Sequence, residues 1–325
     1  MKNVLSIILT KILRCLLLLL GVSILSFTLL KISPVDPVLA SVNYDPNLTA
    51  EQYARIAAYY GLNKPVAMQY VIWLKNFICG NMGMSLVHRE AVSEIIRQRA
   101  GASAVLMGVS WIISGVLGFL LGTVAAFKRE TIWDSLIKWF SYVQATVPTF
   151  WIGLIFLLIF SVYLQWFPIG ISVPIGRLSA DVSLAEKIHH LMLPAFTLSV
   201  LGIANVTLHT REKMIDVLNS EYVIFARARG ESSFQIFRNH CIRNAVVPAI
   251  TIHFSYFGEL FGGSVLAEEV FSYPGLGSTL TEAGLKGDAP LLLAIVIIGA
   301  VFVFWGNTIA DVLNSLLNPA LRRQV

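Results

Sequence analysis

Long apolar runs separated by short polar segments follow one another along this chain, and that alternation predicts its elements. The first run, 12–30, is leucine-rich, with Lys2, Lys11 and Arg14 at its N-terminal end. It has about the 20 residues that a helix needs to cross a hydrocarbon core. From 31 to 99 the pattern turns polar. There "SPVDPVLA" reads as a turn cluster and "EQYARIAAYYGLNKPVAMQYVIWLKNF" as short amphipathic helices in a cap outside the membrane. A second span is expected over 102–127, where Ser110, Ser114, Gly118 and Gly122 recur every four residues. That spacing lays small side chains along one helix face and lets another helix approach closely.

The next segment, "TIWDSLIKWFSYVQATVP", carries Trp133, Asp134, Lys138 and Trp139. Its polarity predicts an amphipathic helix lying in the interface. Residues 149–166 span outward and end at Trp166, a residue suited to the headgroup level. After an outer loop at 168–190, which holds Pro174, Gly176 and Asp181, residues 191–210 return. Residues 249–267 go out again, and 291–313 come back to an "LRRQV" tail. The expectation is an all-α integral membrane protein with six transmembrane helices and cytoplasmic N and C termini. It divides into an N-terminal helix (1–30), an extracytoplasmic cap (31–99) and a core (100–325) with a cytoplasmic loop at 211–247. Val38 and Ala40 imitate a signal-peptide cleavage site, but they lie too far beyond the apolar core to serve as one.

Charge supports this orientation. The segments assigned to the cytoplasm hold 14 Lys and Arg against 6 Asp and Glu, and the outer ones 10 against 11. With Glu259 and Asp311 assigned to spans, that asymmetry accounts for the net charge of +5. Of 325 residues, 56% are hydrophobic and only 13% charged, about half the charge of a soluble domain. No soluble basic domain remains to bind nucleic acid. Of Cys15, Cys79 and Cys241, only Cys79 falls on the outer side, so no internal disulfide is expected.

The stretch "EYVIFARARGESSFQIFRNHCIRNAVVPAI" places Arg227, Arg229, Arg238 and Arg243 among Tyr222, Phe225, Phe234 and Phe237. Gly230 divides it, with Glu231, Ser232 and Ser233 available to start a second helix. Helix, turn and helix outside the bilayer would present aromatic side chains that need a partner surface. Inside the spans, Glu259 is costly to leave in lipid and is expected to face protein or a water-filled cavity. His253, Tyr256 and Asn307 are further candidates for the pathway. No G-x-x-x-x-G-K-[ST], H-E-x-x-H or G-x-S-x-G pattern occurs, and neither His189-His190 nor any other cluster has metal-ligand spacing. The chain therefore supplies neither its own phosphate loop nor a hydrolase constellation. An ion-coupled secondary transporter would carry ionisable residues in several spans. A membrane subunit without transport is the remaining alternative.

The arginine-rich stretch resembles the cytoplasmic coupling loop of binding-protein-dependent ABC transporter permeases, in particular the peptide/nickel branch with its "Y..TARAKG" and "H..RNA..P" elements. Tyr222, Ala226, Arg227, Ala228, Gly230, His240, Arg243, Asn244, Ala245 and Pro248 match as they stand. Ile224, Phe225 and Ala226 replace the general Glu-Ala-Ala, a departure shared with that branch. "ISPVDPV" is similar to its "PGDP" turn, with Val35 in place of glycine. "YYGLNKPVAMQYVIWLKNFICGNMGMSL" and "EEVFSYPGLGSTL" are similar to two more of its segments, with Tyr273 for the usual tryptophan. The resemblance implies a type I importer transmembrane fold and a second permease subunit. It also implies two ATPase subunits holding ATP and Mg, and an extracytoplasmic solute-binding protein at the cap and outer loops. In that family the ATPase grips the coupling loop, which for this chain implies a seat for residues 222–230. Small Ala226 and Ala228 would allow close approach, Arg227 and Arg229 would make charge-assisted contacts, and Gly230 would turn the chain. Members of the branch carry peptides, nickel or metal chelates. This chain holds no cofactor of its own in that picture.

Overall fold

The computed structural model describes residues 2–32, 36, 38–39, 42, 46–59, 61–172 and 182–317. Most of the turn at 32–38, including Val35, lies outside the described residues, as do Pro174, Gly176, Asp181 and the tail from 318. In chain order the helices are α1 (Lys2–Ile32), α2 (Ala50–Tyr59), α3 (Val66–Ile78), α4 (Val92–Phe127), α5 (Ile132–Thr146), α6 (Thr149–Phe156), α7 (Leu184–Leu218), α8 (Glu221–Ala228), α9 (Ser233–Ile236), α10 (Ile242–Ser255), α11 (Phe257–Val270), α12 (Leu276–Lys286) and α13 (Ala289–Leu317). Wider π-helical turns extend α6 over Leu157–Tyr163 and join α9 to α10 over Phe237–Cys241.

The chain forms two compact units, Met1–Ser103 with Pro274–Phe302, and Ala104–Tyr273 with Val303–Val325. In the first, Val92, Ile95 and Ile96 of α4 are buried with Leu276 and Ala283 of α12 and Leu291, Ala294 and Ile295 of α13. Buried Asp288 organises its polar side. Its carboxylate accepts the Ser85 hydroxyl, the Val87 N–H at 3.1 Å and, as a cap for α13, the Leu291 N–H at 3.3 Å. Ser103 accepts the Leu276 N–H at 2.7 Å.

In the second unit, α7 is the helix against which others pack. A Cβ built at Gly118 would come within 2.7 Å of Val206, and one at Gly122 within 2.6 Å of the Thr207 carbonyl. The Ser114 hydroxyl similarly fills the space beside Gly202. The small-residue stripe of α4 thus lies directly on α7, with Ser110 and Ser114 buried and bonded to the Leu106 and Trp111 carbonyls of their own helix.

Among the described residues three helices are long and apolar enough to cross a membrane: Ile12–Leu29 within α1, α4, and Ala289–Val312 within α13. Two bent pairs also qualify, α5 with α6 at 109° and the two halves of α7, giving up to five crossings where six were expected. The difference arises at 249–267, which the structure divides at Tyr256 into α10 and α11, 14 residues each. At 1.5 Å per residue each is about 21 Å long, too short to cross alone. The second span also starts earlier than its apolar run, at Val92. Val92, Ile95 and Ile96 bury one stripe of this extension, while Glu94, Arg97 and Gln98 bond to one another along the helix and give it the look of a loop.

Candidate functional site

The arginine-rich stretch folds as a tight hairpin. Helix α8 ends in a Schellman closure: the Glu231 N–H reaches the Ala226 carbonyl at 3.2 Å and the Gly230 N–H the Arg227 carbonyl at 2.9 Å. Gly230 supplies the left-handed backbone (φ 87°) that this closure requires. A capping box follows at once. The Ser232 hydroxyl accepts the Gln235 N–H at 3.3 Å, and the Gln235 side chain accepts the Ser232 N–H at 2.7 Å. One side of the hairpin is sealed into the second unit. Val223, Ala226, Ile236, Cys241 and Ala245 are buried together with Ala126, Met214 and Leu218. Burial also pushes the Cys241 thiol above its ordinary pKa, against the opposing charge of Arg227, and keeps it unreactive.

Three residues matched to the family motif meet in a polar clasp across the hairpin. The Asn244 amide donates to the Tyr222 hydroxyl at 3.1 Å and to the His240 carbonyl at 2.9 Å. His240 Nε2 lies 3.0 Å from the Glu231 carboxylate, and the Tyr222 and His240 rings are 6.1 Å apart. Glu231 was read from the sequence only as a helix starter, and it is the fourth member of this group. Pro248 lies inside α10, where its missing N–H removes the bond that the Asn244 carbonyl would otherwise accept.

The opposite side is open. Phe225 and Phe234 are 65% and 69% exposed, and Tyr222 and Ile224 are exposed beside them. Arg227, Ala228, Arg229 and Arg243 are also exposed, and no ion pair among the described residues engages the three arginines. Ala226, expected to leave room for a partner, instead faces the chain's own core, and its small side chain lets α8 settle there. The result is a rigid protrusion with an apolar and cationic surface.

Just before the hairpin, an ion pair that the sequence reading missed holds its base. Arg211, near the end of α7, donates to both carboxylate oxygens of Asp134 at 2.6 and 2.8 Å. Asp134 is fully buried; it also accepts the Glu130 N–H at 3.1 Å and has Lys138 at 3.6 Å. Its place on an amphipathic helix gave no hint of burial, and its partner lies 77 residues away.

The candidate pathway residues separate. His253 is buried, stacks on Trp111 at 4.5 Å and donates from Nε2 to the Trp111 carbonyl at 2.8 Å. Gly115 makes room for it, since a Cβ there would meet the ring at 2.9 Å. His253 is therefore a packing residue between helices. Tyr256 sits at the break between α10 and α11, Glu259 is exposed without an ion pair among the described residues, and Asn307 is exposed on α13. Among the described residues, no three His, Cys, Asp or Glu side chains converge as metal ligands.

Comparison with known proteins bears on the whole chain. Residues 118–323 match the family model described as binding-protein-dependent transport system inner membrane component, and residues 4–107 match the N-terminal model of the same membrane component. The chain is 36% identical over 305 residues to the oligopeptide transport system permease protein AppB of Bacillus subtilis, covering 94% of this chain and 95% of that one. It is 33% identical over 322 residues to the di/tripeptide transport system permease protein DppB of Pseudomonas aeruginosa, with the same coverage. A putative peptide permease protein of Brucella suis is 32% identical over 308 residues.

Proposed function

Because the chain belongs to the binding-protein-dependent transport system inner membrane component family, we propose that it is one of two permease subunits of an ATP-driven importer of di- and oligopeptides. In this reading a solute-binding protein delivers the peptide to the outer face. Two separate ATPase subunits, which bind ATP and Mg, work from the cytoplasm. Peptide as cargo is supported by the relatives, which are named as oligopeptide, di/tripeptide and peptide permeases. The chain crosses the membrane six times, with α10 and α11 together forming the crossing that is broken at Tyr256, and both termini are cytoplasmic. In this reading Tyr256 at that break, exposed Glu259 on α11 and exposed Asn307 on α13 face the path, and His253 packs behind them against Trp111.

The observation that carries this reading is the two-sided hairpin. Val223, Ala226 and Ile236 fix it to the chain, while Phe225, Phe234, Arg227 and Arg229 stand free. An exposed aromatic and cationic knob on a rigid base suits a groove in another protein. The chain has no phosphate loop, so the work must enter through such a contact. Replacing Phe225→Asp together with Arg229→Glu should release the ATPase subunits from the purified complex and abolish uptake, while the two permease subunits stay together. Retention of the ATPase subunits with normal uptake would refute the assignment.

A further inference from the structure

Helix α3 has no buried residue, although ten of its thirteen are apolar or aromatic. One side of it is accounted for. The Tyr70 hydroxyl meets the Ser23 hydroxyl of α1 at 2.8 Å, and the Phe27 ring lies 5.4 Å from Tyr70 and 5.9 Å from Trp73. Away from that side Met68 and Val71 point outward, more than half exposed, with exposed Lys75 one turn further along the same face and exposed Asn76 beside it.

The depth of that contact says what covers the apolar side. Ser23 and Phe27 belong to the span Ile12–Leu29. They precede its end by six and two residues, so at 1.5 Å per residue they lie about 9 and 3 Å inside it. A helix resting on them sits among headgroups and upper acyl chains, the level at which amphipathic helices bury an apolar face by about 5–10 Å. Tyr70 and Trp73 are the residue types that favour this level. Lys31, whose Nζ lies 5.7 Å over the Phe27 ring, is positioned to reach the phosphates from the end of α1.

We propose that α3 is a membrane-embedded interfacial helix whose Met68 and Val71 contact lipid acyl chains while Lys75 reaches from the same face to the headgroups, so that the cap is tied to the bilayer and not held wholly outside it. The proposal rests on α1 being a span and needs no particular cargo. Lipid contact also explains why this helix keeps an apolar side that stays exposed among the described residues.

The test is collision accessibility of spin labels on the complete transporter reconstituted in lipid vesicles. Labels are placed singly at Met68→Cys, Val71→Cys and Asn76→Cys, with Cys15 and Cys79 replaced by alanine and buried Cys241 retained. Oxygen, which concentrates in lipid, should exceed a water-soluble nickel complex several-fold at 68 and 71, and the order should reverse at 76. Leu17→Cys, exposed in the middle of α1, is the control. Label at 17 in lipid with labels at 68 and 71 in water overturns the proposal alone. Label at 17 in water overturns the span itself. Low access of both reagents at 68 and 71 means that protein covers α3, which also overturns it. Where the cysteine variants do not assemble, benzoylphenylalanine at Met68 in the natural background serves instead. Its photoadduct should be lipid, and an adduct to a protein chain refutes the proposal.

Discussion

At Gly230 the backbone holds φ 87°, while a Cβ built there meets nothing within 4 Å. Conformation, not crowding, demands the glycine. Left-handed backbone costs an ordinary residue about 1–2 kcal/mol, less for asparagine and more for a β-branched residue. Gly230→Asn should therefore keep most of the uptake per ATP hydrolysed, and Gly230→Val should lose most of it, measured in vesicles at equal protein. Equal coupling in both variants would show that the Schellman closure does not matter. The clasp makes a second prediction at this scale. Tyr222→Phe and Asn244→Ala each remove the same 3.1 Å bond, worth about 0.5–1.5 kcal/mol net. Their effects on thermal stability should be sub-additive in the double variant. Full additivity would mean that the two side chains act separately. The sequence signalled Gly230, because a helix stop is local chemistry. It did not signal Glu231 as the partner of His240, since a pairing nine residues apart across a π-helical turn has no fixed periodicity to give it away.

Among elements, the junction of α4, α5 and α7 is where packing and charge are concentrated. Gly122 lies against the Thr207 carbonyl and the Arg211 N–H, and Arg211 in turn grips buried Asp134. The small-residue stripe was legible because a four-residue repeat survives in any helix that another helix approaches. The ion pair was not, because nothing local links positions 134 and 211. Breaking such a pair from one side leaves a charge without its partner and costs about 3–5 kcal/mol, whereas apolar replacement of both partners is often close to neutral. Asp134→Leu alone should lower the melting temperature and the yield of complex. Asp134→Leu with Arg211→Leu should restore stability. If the double variant also restores uptake, the pair is a fastening only. If stability returns without uptake, the pair transmits movement from the hairpin to α5. The break at Tyr256 was hidden for a different reason: no proline stands at the break, and apolar residues resume directly after it at Phe257, Leu260 and Phe261.

For the molecule as a whole, the count of crossings decides how the hairpin can act. If α10 and α11 together cross the bilayer, the hairpin at 221–241 and helix α12 lie on opposite faces, and a push on one side can open a gate toward the other. If they instead dip in and return, both lie on the same face and the hairpin cannot be cytoplasmic while α12 meets a binding protein. Exposed positions on each side separate the cases. In right-side-out vesicles a membrane-impermeant maleimide should label Lys286→Cys, and also the natural Cys79, which is exposed just after α3. Arg229→Cys, made with Cys79→Ala, should stay unlabelled until the vesicles are permeabilised. Buried Cys241 should not react in either state. Labelling of positions 229 and 286 from the same side would remove the sixth crossing, and with it the proposed route by which an ATPase subunit seated on the hairpin acts on the outer face.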